Sequence, residues 1–242
     1  MEIISVITGA SGTLGKSVID ELLRQNHSIL AITRHTLNYN NDNYHEIKID
    51  LSNIKNIEDN KENLLKIFKN QKFDKINIIH IAGKYEQQSL PLSYDQINLW
   101  NEMYNINCIS FYYIVSILYE IIKKINNGTI ITISSNLTER VNSNTAAYIS
   151  SKAALEAITK QLAYELGKYN VNCNTISPGV FLSKMSKNIS DSKMEEIRMN
   201  TPLHDIADET KIRDVVISML DERCSWITGQ KIIADGGNTL GF

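Results

Sequence analysis

Runs of five or six Ile, Val, Leu and Thr residues alternate along this chain with stretches whose apolar positions recur every three to four residues. The first pattern predicts buried strands at Ile3–Thr8, Ser28–Thr33, Tyr44–Ile49, Ile76–Ile81, Thr129–Ser134, Val171–Ile176 and Lys231–Ala234. The second predicts helices at Leu14–Gln25, Ile54–Asn70, Tyr94–Ile125, Ala146–Lys168 and Thr210–Asp221, with a break near Trp100–Met103. Strands alternating with helices of this length build βαβ units, hence an α/β fold with a doubly wound, seven-stranded parallel sheet and helices on both faces. Asn38 to Asn43 is polar and reads as a loop. Phe181 to Pro202 breaks the rhythm with Met185, Met194 and Met199 among polar residues, where an open α/β sheet binds ligands; it is expected to be a substrate lid.

The chain has 242 residues, three prolines and no Ser/Gly-rich linker, so a single domain over residues 1–242 is expected. A net charge of -2 gives no reason to expect nucleic acid or an anionic membrane as partner. No consecutive apolar run approaches the ~20 residues of a membrane span, and Met1 leads straight into a strand, so a cytoplasmic protein is expected. Cys108, Cys173 and Cys224 are odd in number and widely spaced, as reduced thiols are. The five histidines lack ligand spacing, and no metal is expected.

Between the first strand and first helix stands Thr8-Gly9-Ala10-Ser11-Gly12-Thr13-Leu14-Gly15. Glycines here let backbone approach a pyrophosphate, and the helix N-terminus offers free N–H groups and positive potential. In that position the motif reads as a dinucleotide cradle. An acidic residue at the end of the second strand would bind a free ribose 2′-hydroxyl. The chain instead has Ile32-Thr33-Arg34-His35, and Arg34 suits a 2′-phosphate, so NADP(H) is favoured over NAD(H).

Tyr148 and Lys152 lie four residues apart at the head of a helical run and so share a face. A cation about 4 Å from a phenol at an effective dielectric near 20 contributes about 4 kcal/mol, roughly three pKa units. That would bring the tyrosine toward neutrality, where proton transfer is efficient.

Together with Asn107, Ser134-Ser135, Pro178-Gly179 and the closing Ile227-Thr228-Gly229-Gln230, these motifs resemble the short-chain dehydrogenase/reductase family. The single-domain branch related to beta-ketoacyl carrier-protein reductase is the most similar. The resemblance implies a carbonyl/alcohol oxidoreductase in which Tyr148 exchanges the proton and Lys152 lowers its pKa and binds the nicotinamide ribose. It implies that Ser135, thirteen residues before Tyr148, holds the substrate carbonyl, and that Asn107 holds a water behind the lysine. It further implies that Asp50 and Leu51 meet the adenine, that Ala82 and Gly83 admit the cofactor, and that Pro178, Gly179 and Ser183 line the nicotinamide side. A small-molecule substrate and a homotetramer or homodimer follow from the same resemblance.

Two positions depart from the family's pattern. The glycine spacing is that of the sugar-nucleotide branch, which keeps a nucleotide-sugar or keto-sugar enzyme as an alternative; the lack of a second domain opposes it. His80 replaces an asparagine that ties adjacent strands, and reads as a satisfied core histidine. A non-catalytic dinucleotide sensor would be expected to have lost Ser135, Tyr148 or Lys152, and all three are present.

Overall fold

The computed structural model describes residues 1–140 and 142–240. Seven parallel strands form one sheet: β1 (Ile3–Thr8), β2 (Ser28–Thr33), β3 (Tyr44–Lys48), β4 (Lys75–His80), β5 (Gly128–Ile133), β6 (Val171–Pro178) and β7 (Lys231–Ala234). Their order is β3-β2-β1-β4-β5-β6-β7, so the chain reverses direction across the sheet between β1 and β4. In such sheets ligands bind beyond the strand ends at that reversal.

The central strands β1, β2, β4 and β5 are buried along their length because both faces are covered, whereas the edge strand β3 is polar and half exposed. On one face α1 (Thr13–Arg24) and α8 (Glu209–Leu220) bury Leu14, Val18, Ile19, Leu22, Val216 and Met219 against Ile7, Ile29, Ile131 and Ile176. On the other lie α2 (Ile54–Asp59), α3 (Lys61–Asn70), α4 (Tyr94–Tyr104), α5 (Ser110–Ile125) and α6 (Ala146–Leu166). There Leu64, Phe111, Ile114, Leu118, Leu155 and Leu162 pack on Ile4, Val6, Ile78 and Ile130. Each fully buried side chain of this kind stabilises the fold by about 1.5–3 kcal/mol.

Two helix expectations are corrected. The run Ile54–Asn70 is divided at Asn60, with Asn53 capping α2 by accepting from Asn56 N. The chain does not break near Trp100–Met103. A capping box of Ser93 and Gln96 starts α4, and one π-helical turn, Asn105–Ile109, joins it to α5. The joined helix Tyr94–Ile125 is long and apolar enough to cross a membrane by length and composition alone. Its α5 half buries its apolar stripe in the sheet's core.

Phe181 to Pro202 has almost no strand character. One bridge pairs Phe181 with Ala207, and α7 (Asp191–Met199) buries none of its residues. Its far end is anchored, because Thr201 is buried and accepts from Asn238 Nδ2 at 3.1 Å.

Candidate active site

Beyond β1 the chain turns through Gly9 with φ +71, and the Gly12 N–H donates to Gly9 O at 3.0 Å. A Cβ on Gly9 would lie 2.5 Å from Ala82 N, and one on Gly15 would lie 2.3 Å from Gly9 O. Backbone fills both places, so only glycine keeps β1, α1 and the end of β4 this close. No side chain caps α1, and its first turn holds no acidic residue. Thr13 and Leu14 open that turn, and Lys16 follows at a helix end that disfavours cations. A cleft of about 310 Å³ runs from this end along α1, lined by the cations Lys16, Arg24, Lys184 and Arg213 and by the carboxylates Asp20 and Glu209. Sequence reasoning missed this mixed lining, because only the fold brings residues from α1, the 181–202 segment and α8 together. A cradle closed to any Cβ and an uncapped helix start together fit a dinucleotide's phosphates.

The other expected cofactor residues lie at or just past the ends of β2, β3, β4 and β6. Arg34 is exposed just past β2. Asp50 accepts from Ser52 N at 3.0 Å, and Leu51 beside it is buried. Ala82 is buried and Gly83 exposed; a Cβ on Gly83 would lie 3.3 Å from Lys152 Nζ and 3.7 Å from Asn107 Oδ1. Pro178 ends β6, and Gly179 touches Asp235, with no room for a Cβ. Ser183 is half-buried, and its N–H donates to Ser186 Oγ at 2.9 Å.

The catalytic candidates converge at the ends of β4 and β5. The π turn directs Asn107 inward, where Nδ2 donates to Lys84 O at 3.0 Å and Ser151 Oγ at 2.9 Å, and Oδ1 accepts from Lys84 N at 2.7 Å. Ser135 Oγ accepts from Leu137 N at 3.2 Å, and the hydroxyl is close enough to Tyr148 to act on the phenol. Ser134 faces away and donates to Glu156 Oε1 at 2.5 Å. The two adjacent hydroxyls thus have different partners. Tyr148 is buried, and the Tyr85 ring meets it edge-on at 4.9 Å.

The electrostatics differ from expectation. Burial raises the Tyr148 phenol to about 12, with the Ser135 hydrogen bond acting against it and Tyr85 adding to it. The lowering expected from Lys152 is not among these contributions, because the ammonium is turned to Ile133 O at 2.7 Å. Lys152 is itself buried, and loss of hydration lowers it to about 8. His80 is only half satisfied: Nδ1 bonds Thr8 Oγ1 at 2.8 Å, and Nε2 is buried with no hydrogen-bond partner among the described residues. Burial and the Lys152 charge hold it near 3, so it is neutral at pH 7.

A parallel sheet with a phosphate cradle at its reversal point defines a nucleotide-binding α/β fold. A family model described as enoyl-(acyl carrier protein) reductase matches residues 24–239, and the chain belongs to the short-chain dehydrogenase/reductase family of oxidoreductases acting on CH–OH and C=O groups. It is 28% identical over 246 residues to the 3-oxoacyl-[acyl-carrier-protein] reductase FabG of Buchnera aphidicola subsp. Baizongia pistaciae, covering 97% of this chain and 96% of that one. A 7alpha-hydroxysteroid dehydrogenase of Escherichia coli (strain K12) is 29% identical over 135 residues, 55% of this chain and only 53% of the relative's length. The solved structure of 4-hydroxyisoleucine dehydrogenase complexed with NADH superposes with a TM-score of 0.89 at 27% identity, covering 100% of both chains.

Proposed function

We propose that this chain is an NADP(H)-dependent carbonyl reductase, with 3-oxoacyl thioesters the first substrate class to test. The observation that carries this reading is that Lys152 and Asn107 meet beside the Gly83 backbone while Ser135 lies near the buried Tyr148 phenol. A dinucleotide held by the Gly9–Gly15 cradle would supply a hydride for the carbonyl carbon. Tyr148, protonated at neutral pH, gives its proton to the carbonyl oxygen, and Ser135 donates a hydrogen bond to that same oxygen. Lys152 supplies a positive charge beside Gly83, and Asn107 fixes that backbone through Lys84.

The deciding experiment follows NADPH oxidation with acetoacetyl thioesters, keto sugars, quinones and simple ketones, for wild type and Tyr148→Phe. The variant is expected to lose turnover and keep its dinucleotide affinity; near-normal turnover with a substrate that wild type reduces would refute the role of Tyr148.

The preference for NADPH rests on Arg34, since the matched 4-hydroxyisoleucine dehydrogenase structure carries NADH. Arg34→Ala should weaken NADPH about ten- to a hundredfold and leave NADH unchanged. Equal wild-type affinity for the two dinucleotides would rule the preference out.

Assembly into a homodimer or homotetramer is supported by the free edge of β7 and by Trp226, Tyr164 and Ile233 exposed around it. A mass near 27.4 kDa by light scattering at micromolar concentration would exclude it. The segment 181–202 is proposed to close over substrate, which predicts slower hydrogen exchange there when dinucleotide and substrate analogue bind together. A cytoplasmic location is part of the same proposal, and fractionation of the source cells checks it.

A further inference from the structure

Glu156 stands one helical turn beyond Lys152 on α6, and its carboxylate gathers side chains from four other segments. Oε1 accepts from Ser134 Oγ at 2.5 Å, from Thr138 Oγ1 at 2.8 Å and from Ser177 Oγ at 3.5 Å. Oε2 accepts from Lys231 Nζ of β7 at 3.0 Å. Lys231 also bonds Thr138 Oγ1 and reaches Glu139 at 2.6 Å. The Lys231 and Glu156 side chains are only 21% and 18% exposed. A partly buried pair of this kind is held more rigidly than a surface pair.

Ser135 sits inside this arrangement without belonging to it. Ser134 precedes it directly, and the Thr138 hydroxyl after it stands 2.8 Å from both Glu156 Oε1 and Ser135 O, its one proton shared between the two acceptors. Both neighbours are tied to the same oxygen of Glu156, so the backbone carrying the Ser135 hydroxyl is fastened on both sides. The turn itself is a single 3₁₀ segment, Asn136–Glu139, too short to hold its own geometry.

We propose that Glu156 is a positioning residue: one carboxylate, braced by Lys231, that holds the Ser135 hydroxyl at the place where it meets the substrate carbonyl. The proposal rests on the reductase reading for its catalytic consequence. In the geometry, Glu156 joins α6, β5, β6 and β7 at one point and acts on substrate only through Ser135.

The test compares wild type, Glu156→Ala, Glu156→Gln and the double variant Glu156→Gln/Lys231→Met. Glu156→Gln keeps an acceptor for both hydroxyls but turns an amide N–H toward the Lys231 ammonium; Lys231→Met removes that clash. Hydrogen exchange of residues 134–139 is measured for all four, with kcat and KM for acetoacetyl-coenzyme A and the NADPH affinity. Glu156→Ala is expected to speed exchange in 134–139 alone and to lower kcat about ten- to a hundredfold. KM should change by less, and NADPH affinity by under about twofold. The double variant should recover most of the kcat. Unchanged exchange at 134–139 overturns the proposal whether or not wild type reduces the probe. Faster exchange with unaltered kcat overturns it too, as does a double variant that regains stability but no turnover. A wild type that binds NADPH but reduces no carbonyl refutes the reductase reading instead, and the exchange data alone then decide whether Glu156 fastens Ser135.

Discussion

Replacing Lys152 with methionine should make the protein more stable while disabling it. The ammonium is buried, and loss of hydration lowers its pKa from 10.5 to about 8. A lysine that holds its proton less tightly when folded destabilises the native state wherever the unfolded chain is protonated. The penalty is therefore full below pH 8 and fades as pH rises from 8 to 10.5. At pH 7 a shift of this size amounts to about 3 kcal/mol. Losing the hydrogen bond to Ile133 O takes back about 1 kcal/mol, leaving a net gain of about 2 kcal/mol. Urea denaturation at pH 7 and pH 9.5 reads the difference. The variant should be more stable at pH 7, and its advantage should shrink by about 2 kcal/mol at pH 9.5. NADPH oxidation by the variant should fall to background. A variant equal to or weaker than wild type at pH 7, or an advantage independent of pH, would refute the reasoning that burial lowers this lysine.

Gly15→Ala should cost about 1–3 kcal/mol and weaken dinucleotide binding at least about tenfold, because its Cβ would lie 2.3 Å from Gly9 O. Gly167→Ala, with nothing within 4 Å, is the control and should be neutral or slightly stabilising. Thermal melts and fluorescence titration check both, and equal behaviour of the two variants would contradict the backbone contact. His27, buried against Ser5 Oγ at 3.0 Å, is lowered to about 4 by loss of hydration and by the Lys75 charge. Its contribution is thus full above pH 6.5 and is lost as pH falls toward 4. Wild type should lose about 2 kcal/mol over that range relative to His27→Gln, measured by urea midpoints; parallel pH curves would exclude it.

The strands were legible because a parallel sheet covered on both faces writes most of its central strands as apolar runs, and six of the seven strands stand within one residue of expectation at each end. The glycine cradle was legible for a similar reason, since backbone crowding at Gly9 and Gly15 excludes every other residue. The division at Asn60 was hidden because apolar spacing continues smoothly from Ile57 to Leu64 across it. The direction of the Lys152 ammonium was hidden as well, because it depends on a carbonyl nineteen residues away. Glu156 left no signal in local spacing, because all its partners are distant in sequence.

The π turn at Asn105–Ile109 fits one more residue than a regular helical turn would use. Since each helical residue advances the face by about 100°, α4 and α5 are two helices fused out of phase. The α5 half points Phe111, Ile114 and Leu118 at the sheet, and the α4 half buries Met103 toward Tyr148. A regular α-helix drawn through all five residues 105–109 would swing one half past the other by about that angle. Either the core stripe or the wall beside the phenol would then lose its contacts, so the extra residue and the wide turn that absorbs it stand or fall together.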